Sequence, residues 1–314
     1  MPLDPQAKSI LKALEALNEP PVTTVSPTIS RVHFESRKRE SGPSVSKISD
    51  YLIPSANGDI PTRIYTPEGE GPFPILVWFH SGGWVLGNLN TTESECRNLT
   101  NLAECVVVSV DYRLAPESKF PAAVEDCYIA TKWVSDHPAL FNADVQRMAV
   151  GGASSGGNLA AVVALMSRDR NGPKLLHQLL VVPVTDYDFN TESYIQNEVG
   201  YGLTREAMAW YWKQYLNSEA DSHNSYAVPI QEKELSGLPD ATIITAEFDP
   251  LRDEAEAYAK RLEESGTKTT CTRYEGMIHG FFGMSESINK TKDAMNQAAT
   301  ELKISFTKQS THDL

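Results

Sequence analysis

The chain has 314 residues, of which 41% are hydrophobic and 22% charged, and its formal net charge is -13. This length and composition are sufficient for one large hydrophobic core, as in a single α/β domain. The acidic balance disfavours binding to nucleic acid and to anionic membrane surfaces. A small, neutral substrate is more compatible with it than an anionic one.

Along the chain, apolar runs alternate with helical patterns, which predicts βαβ units and a mostly parallel sheet. Helices are predicted over residues 121–136, 155–168, 252–264 and 290–306. Strands are predicted over residues 45–54, 62–65, 74–79, 106–111, 147–151, 179–184, 241–246 and 269–274. The first two strands are expected to form an antiparallel hairpin, because residues 55–58 are a cluster of turn formers.

Two segments interrupt this alternation. Residues 1–44 begin with an amphipathic helix and continue into a proline-rich, charged connector, and residues 186–236 are rich in aromatic side chains. Ligand sites in open α/β sheets form beyond the carboxyl ends of the strands. We therefore expect both segments to form a cap over a catalytic domain built from residues 45–185 and 237–314. Packing of each aromatic side chain in the core is the alternative.

The four cysteines give no sign of a zinc site or a disulfide framework, because none is in Cys-x-x-Cys spacing. The N-terminus lacks a basic segment followed by an apolar one, and no run of about 18 apolar residues occurs. These features predict a cytoplasmic protein without a membrane partner.

Ser154 is a candidate nucleophile. It stands between Gly152 and Gly156 in a Gly-x-Ser-x-Gly pattern, after an apolar run and before a predicted helix. This order is typical of the nucleophile elbow, a sharp strand-to-helix turn that exposes the serine hydroxyl. The pattern alone is weak, since small residues recur by chance in glycine-rich loops.

Candidate partners follow Ser154 in the chain order serine, acid, histidine. Asp249 follows the predicted strand 241–246, and His279 follows the strand 269–274. A neutral imidazole can take the serine proton, and a carboxylate on its other nitrogen stabilises the imidazolium that forms. Glu247 is an alternative acid, although the acid normally follows the end of the strand.

An oxyanion-binding loop is predicted after the strand 74–79. Gly82 and Gly83 lie there, and adjacent glycines let backbone N–H groups approach a carbonyl closely. Together with the N–H of Ser155, they would surround the negative charge of a tetrahedral intermediate. We expect His80 to orient this loop.

Five blocks in the same order resemble the hormone-sensitive-lipase-like family (family IV) of α/β-hydrolase carboxylesterases. They are residues 80–84, 111–117 with 120–126, the serine elbow, residues 249–254 and residues 279–281. The resemblance implies an α/β-hydrolase fold, with an eight-stranded central sheet flanked by helices and covered by a helical cap.

The resemblance also implies hydrolysis of carboxylic esters without a cofactor or metal. In this interpretation the catalytic triad is Ser154, Asp249 and His279, and the oxyanion hole is formed by Gly82, Gly83 and Ser155. The chain departs from the family pattern at Ala153, where an aspartate is usual, and at Ser81, where a glycine is usual. We expect these changes to affect rate or substrate range rather than chemistry.

A short- to medium-chain acyl ester or an aryl ester is the expected substrate, with Trp84, Tyr187, Tyr211 and Phe281 as candidate binding residues. A non-catalytic small-molecule receptor on the same fold is the alternative, although such receptors lose the histidine. An amidase, a lactonase or a dehydratase could use the same residues. Relatives of this kind often form homodimers, so a homodimer is a further option.

Overall fold

The computed structural model describes residues 2–307. Its strands are β1 Lys47–Ile53, β2 Ile60–Thr66, β3 Phe73–Phe79, β4 Val106–Val110, β5 Ala143–Ala153, β6 His177–Val181, β7 Asp240–Phe248 and β8 Thr269–Ile278. They form one sheet in the order β1-β2-β4-β3-β5-β6-β7-β8. The pairs β1/β2 and β2/β4 are antiparallel, and all other neighbours are parallel. The predicted eight-stranded, mostly parallel sheet is confirmed.

The α-helices in the described part of the chain include the four whose bounds were predicted, each within two residues of its expected ends, and the amphipathic helix expected near the N-terminus. Their bounds are α1 Pro5–Ala16, α2 Pro27–Ser36, α3 Glu93–Ala103, α4 Ala122–Asp136, α5 Ser155–Asp169, α6 Glu192–Gln196, α7 Arg205–Tyr215, α8 Arg252–Glu264 and α9 Asn289–Thr307. No helix among residues 2–307 is both long enough and apolar enough to cross a lipid bilayer. The last seven residues of the predicted catalytic domain, 308–314, lie outside the described part.

The sheet separates two hydrophobic layers. Every residue of β3, β4 and β6 is buried. Alternate side chains of a strand point to opposite faces, so Ile75 and Val77 pack in one layer with α4, α5 and α8. Leu76 and Trp78 pack in the other layer with α3 and α9. Because both faces are covered, β3 is a continuous apolar run and β4 is one apart from Ser109, as is usual for buried parallel strands.

The N-terminal segment was expected to continue from its first helix into a connector, and this prediction is wrong for residues 27–36. Ser26 caps α2 by accepting a hydrogen bond from the Ile29 N–H at 3.3 Å, and Pro27 occupies the first turn. Proline suits this position because the missing N–H has no partner within the helix there. Pro27, in the segment predicted to be a connector, therefore begins a helix.

Arg31 of α2 joins this segment to loops at the carboxyl edge of the sheet. Its guanidinium donates to the carbonyl oxygens of Val85 and Ala115, both at 2.8 Å. It also forms a two-point ion pair with Glu117. The N-terminal segment is thus anchored beside the loop that follows β3.

Candidate active site

Ser154 lies at the sharp turn between β5 and α5. Its backbone has φ 58° and ψ -118°, a conformation that residues other than glycine rarely adopt. The Ser154 N–H donates to the Val181 carbonyl at 2.8 Å, and its own carbonyl accepts from the Val184 N–H at 3.2 Å. These two bonds to the end of β6 and the chain beyond it hold the strained serine in place.

The glycines on either side of Ser154 are required by close backbone packing. A Cβ at Gly152 would lie 2.3 Å from the Gly156 carbonyl oxygen, and a Cβ at Gly156 would lie 2.0 Å from the Phe79 carbonyl oxygen. Neither distance is compatible with a side chain. The elbow therefore sits directly against the end of β3, next to the glycine loop.

The structure brings the three predicted triad side chains together. The His279 Nε2 lies 3.0 Å from the Ser154 Oγ, and the His279 Nδ1 lies 2.8 Å from the Asp249 Oδ2. An ionised carboxylate can only accept a hydrogen bond, so Nδ1 carries the proton and Nε2 can accept from the serine hydroxyl. Asp249 is almost fully buried and its Oδ1 accepts from the Leu251 N–H at 2.9 Å. The arrangement can remove a proton from Ser154 during attack.

Glu247, the alternative acid, points to a different neighbour. Its Oε2 accepts a hydrogen bond from the Gly276 N–H at 2.6 Å. Asp249 therefore occupies the position beside the imidazole, and Glu247 supports the strand that leads to His279.

The glycine loop follows β3 and approaches the elbow. Gly82 has φ 123° and Gly83 has φ 60°. The Gly82 carbonyl accepts from the N–H groups of Val85 and Leu86, which closes the loop into a tight turn. Within residues 2–307, the N–H groups of Gly82, Gly83 and Ser155 have no acceptor. They are free to donate to a bound group.

His80 is buried at the start of this loop. Its Nδ1 donates to the Ser81 carbonyl at 2.7 Å, and its ring stacks on Tyr112 with 4.2 Å between centroids. The Tyr112 hydroxyl donates to the His80 carbonyl at 2.8 Å. Burial lowers the pKa of His80 to about 4. The imidazole is therefore neutral near pH 7, and its contacts fix the course of the loop.

If the Gly82 N–H is an oxyanion donor, as the sequence predicts, replacing Gly82 by alanine is expected to lower kcat by ~10²–10³-fold, the usual effect of losing one such donor. The new Cβ would lie 2.1 Å from the Leu86 carbonyl oxygen, so the loop backbone must shift. The rate of ester hydrolysis measures the change in kcat, and thermal unfolding measures the effect of the backbone shift on stability.

Gly58→Ala is a matched control for this substitution. Gly58 has φ 108°, a strain similar to that at Gly82, but a Cβ there meets nothing within 4 Å. We expect this variant to lose some stability and to keep its kcat. Equal kcat values for the two variants would contradict the oxyanion-binding role that the sequence predicts for this loop.

A cavity of about 140 Å³ opens at Ser154 and His279. Its other lining residues are Ser81, Gly82, Gly83, Glu95, Ala153, Val182, Leu203, Met208, Tyr211, Gly280, Phe282 and Gly283. Tyr211 was predicted to bind substrate, and its ring lies against Gly83. Among the described residues, no group of three or more His, Cys, Asp or Glu side chains is arranged to hold a metal ion.

Three predicted substrate-binding residues do not line this cavity. Trp84 is fully buried and stacks on Tyr215 with 4.3 Å between ring centroids. Tyr187 packs against Trp212 at 5.4 Å. Phe281 is fully buried in the core layer of α3 and α9. Trp84 and Tyr187 pack on rings of α7, whereas Phe281 packs on Tyr274 with 5.4 Å between ring centroids. The structure therefore does not place these three predicted side chains in the cavity wall.

Two apolar residues that the sequence analysis missed come from the same segment as Tyr211. Leu203 precedes α7 and Met208 lies within it, and both line the cavity. Phe282 lines it as well and stacks on Trp78 at 6.3 Å. The sequence analysis named Phe281 as a binding residue, whereas its neighbour Phe282 lines the cavity.

Glu254, in the first turn of α8, has a structural role that the sequence did not indicate. It is fully buried, and its Oε1 accepts from the N–H groups of Thr185 and Asp186 at 2.7 and 3.2 Å. Burial raises the pKa of Glu254 well above its usual value. The side chain anchors the segment beyond β6 that also contacts the elbow.

Comparison with known proteins agrees with this architecture. A family described as alpha/beta hydrolase fold matches residues 76–283. An arylesterase of Saccharolobus solfataricus is 38% identical over 286 residues, covering 90% of this chain and 93% of that protein. The carboxylic ester hydrolase LipN of Mycobacterium tuberculosis is 42% identical over 250 residues, covering 77% of this chain and 66% of that protein.

The similarity extends to solved structures. The hyperthermophilic esterase from the archaeon Pyrobaculum calidifontis superposes with a TM-score of 0.91 at 40% identity, covering 97% of this chain and 99% of that one. The residues matched by the family model, 76–283, include the elbow at Ser154 and the loop that carries His279. The chain belongs to the α/β-hydrolase family, within its hormone-sensitive-lipase-like group of carboxylesterases.

Proposed function

We propose that this protein hydrolyses small neutral carboxylic esters through an acyl-enzyme, with Ser154 as nucleophile, His279 as general base and acid, and Asp249 as the orienting carboxylate. The observation that carries the proposal is the connected chain from the serine Oγ through the imidazole to the carboxylate, with links of 3.0 and 2.8 Å. Distances of this size are within the range for proton transfer.

In the first step, the Ser154 Oγ attacks the ester carbonyl while its proton moves to the His279 Nε2. The tetrahedral intermediate then breaks its bond to the alcohol oxygen, which takes that proton as it leaves. Water repeats the sequence on the acyl-enzyme and releases the acid and free Ser154. Asp249 stabilises the imidazolium in each step and remains ionised.

The oxyanion hole that we propose consists of the N–H groups of Gly82, Gly83 and Ser155. Their lack of protein acceptors within the described residues and their position beside Ser154 support this role. The N-terminus of α5 adds a favourable dipole at the same place. Because these donors are fixed before substrate binds, they stabilise the developing charge without reorganisation.

A short to medium acyl chain fits the size of the cavity, about 140 Å³. Leu203, Met208 and Phe282 give it apolar walls. Leu203 and Met208 belong to residues 186–236. Arg31 anchors residues 1–44 beside the loop after β3. Both observations support the proposal that these two segments form a cap.

Labelling with a fluorophosphonate probe tests the proposal, because the probe reacts only with an activated serine. We expect wild-type protein to be labelled at Ser154 and Ser154→Ala to remain unlabelled. An unlabelled wild-type protein that still binds small ligands would instead favour a receptor. A panel of esters with graded acyl length, together with one amide and one lactone, then measures the substrate range.

A further inference from the structure

Glu95 is an acidic side chain in the cavity that the proposed hydrolysis does not use. It lies in the first turn of α3 and lines the cavity together with Ser154 and His279. No other Asp, Glu, Lys or Arg side chain lines the cavity, and most of the other lining residues are apolar or glycine. Burial of a carboxylate in such surroundings costs free energy unless hydrogen bonds or a positive charge offset it.

A buried chain of hydrogen bonds fixes the orientation of this carboxylate. The Trp78 Nε1 donates to the Thr92 Oγ1 at 2.8 Å, and the Thr92 hydroxyl donates to the Glu95 Oε2. An indole N–H can only donate, so the single hydroxyl proton of Thr92 is available for Glu95. One carboxylate oxygen is therefore occupied and positioned by the core of the protein.

The second oxygen is turned toward the cavity wall at Gly283. A Cβ at Gly283 would lie 2.8 Å from the Glu95 Oε1, so the absent side chain makes room for the carboxylate. Within residues 2–307, Oε1 has no hydrogen-bond donor and Glu95 forms no ion pair. This oxygen is available to a ligand.

Arg39 is a cation whose field acts on Glu95, but its guanidinium makes its hydrogen bonds to other groups. Its guanidinium donates to the carbonyl oxygens of Phe34 and Arg37 at 2.7 and 3.1 Å, and it lies over the Phe34 ring at 4.5 Å. Burial raises the pKa of Glu95 to about 7, while the field of Arg39 and the bond from Thr92 act in the opposite direction. At pH about 8, Glu95 is therefore ionised in most of the protein molecules.

We propose that Glu95 makes this cavity selective for esters that carry a protonated amine. The ammonium group would donate to the Glu95 Oε1 while the ester carbonyl lies at Ser154. The inference depends on the proposed hydrolysis at Ser154 and specifies which esters that site prefers. Charge-assisted hydrogen bonds in an apolar site are stronger than neutral ones, so a neutral ester of the same shape gains less.

Two pairs of esters of matched shape test the inference, one for each side of the scissile bond. On the acyl side the pair is ethyl 3-aminopropanoate and ethyl butanoate. On the alcohol side it is 2-(dimethylamino)ethyl acetate and 3-methylbutyl acetate. At pH about 8, we expect wild-type protein to have a higher kcat/KM for the amine ester in at least one pair.

Glu95→Gln keeps the size of the side chain and removes its charge. We expect the preference for the amine ester to fall on the order of tenfold or more, as for the loss of a hydrogen bond between charged groups. Glu93→Gln is the matched control, because Glu93 lies in the same helical turn and pairs with Arg97 outside the cavity. That variant should keep the wild-type preference.

The inference would be overturned if wild-type protein had no preference in either pair. It would also be overturned if Glu95→Gln lowered kcat/KM equally for both esters of a pair. The latter result would assign Glu95 a purely structural role. If wild-type protein hydrolyses no ester, the proposed function fails. Calorimetric binding of the same esters to Ser154→Ala, with and without Glu95→Gln, then tests the charge preference independently of turnover.

Discussion

Replacing Ser154 by alanine is expected to reduce kcat for p-nitrophenyl acetate by about a millionfold, as for serine hydrolases in which the triad acts as a unit. The substitution removes the nucleophile and leaves the imidazole and the carboxylate in place. Residual hydrolysis would come from the oxyanion donors and from substrate binding alone. Initial rates at saturating substrate give the effect on kcat directly.

Ser155→Ala is the control for this experiment. The variant lacks the neighbouring hydroxyl but keeps the backbone N–H that we assign to the oxyanion hole. Its decrease in kcat should therefore be much smaller than that of Ser154→Ala. Thermal unfolding checks that both proteins are folded. A Ser154→Ala protein with near wild-type kcat would refute the acyl-enzyme mechanism, whatever the geometry of the triad.

The central strands and the elbow could be predicted because their sequences depend on local requirements. A strand that is buried on both faces is mostly apolar, as β3 is throughout and β4 is apart from Ser109. A tight strand-to-helix turn needs glycine where backbones touch, as at Gly152 and Gly156. These requirements can be recognised without knowledge of distant contacts.

Helix α3 was missed because its sequence is mostly polar. Its buried apolar positions are Cys96, Leu99 and Ala103, with spacings of three and four residues. This spacing is typical of one helical face, but small and weakly apolar side chains make the pattern faint. Because α3 was missed, so was Glu95, the charged residue of the cavity wall.

The cavity wall was also predicted poorly because large aromatic side chains are strong signals for burial in general. Trp84 adopts φ 60° and turns into the core, where it packs on α7. The direction of a side chain in an irregular loop depends on contacts from elsewhere in the chain. The polar side chain of His177 likewise turns into the core from β6, where its Nε2 lies 3.0 Å from the Thr242 Oγ1.

Asp249→Asn is expected to lower kcat by about 10⁴-fold while leaving the fold intact. The amide is neutral, so it no longer offsets the charge of the imidazolium that forms during attack. It can also hold the imidazole in the wrong tautomer, with the proton on the nitrogen that faces Ser154. Hydrolysis of p-nitrophenyl acetate and the rate of fluorophosphonate labelling should fall together.

Glu247→Gln distinguishes the two candidate acids. Its amide oxygen can still accept the hydrogen bond from the Gly276 N–H that Glu247 accepts at 2.6 Å, so the strand leading to His279 keeps its support. We therefore expect a small effect on kcat. If Glu247→Gln lost more activity than Asp249→Asn, the loop after β7 would turn differently during catalysis and Glu247 would be the acid. Because Asp249 is almost fully buried and bonded to His279 at 2.8 Å, removal of its charge should have the larger effect.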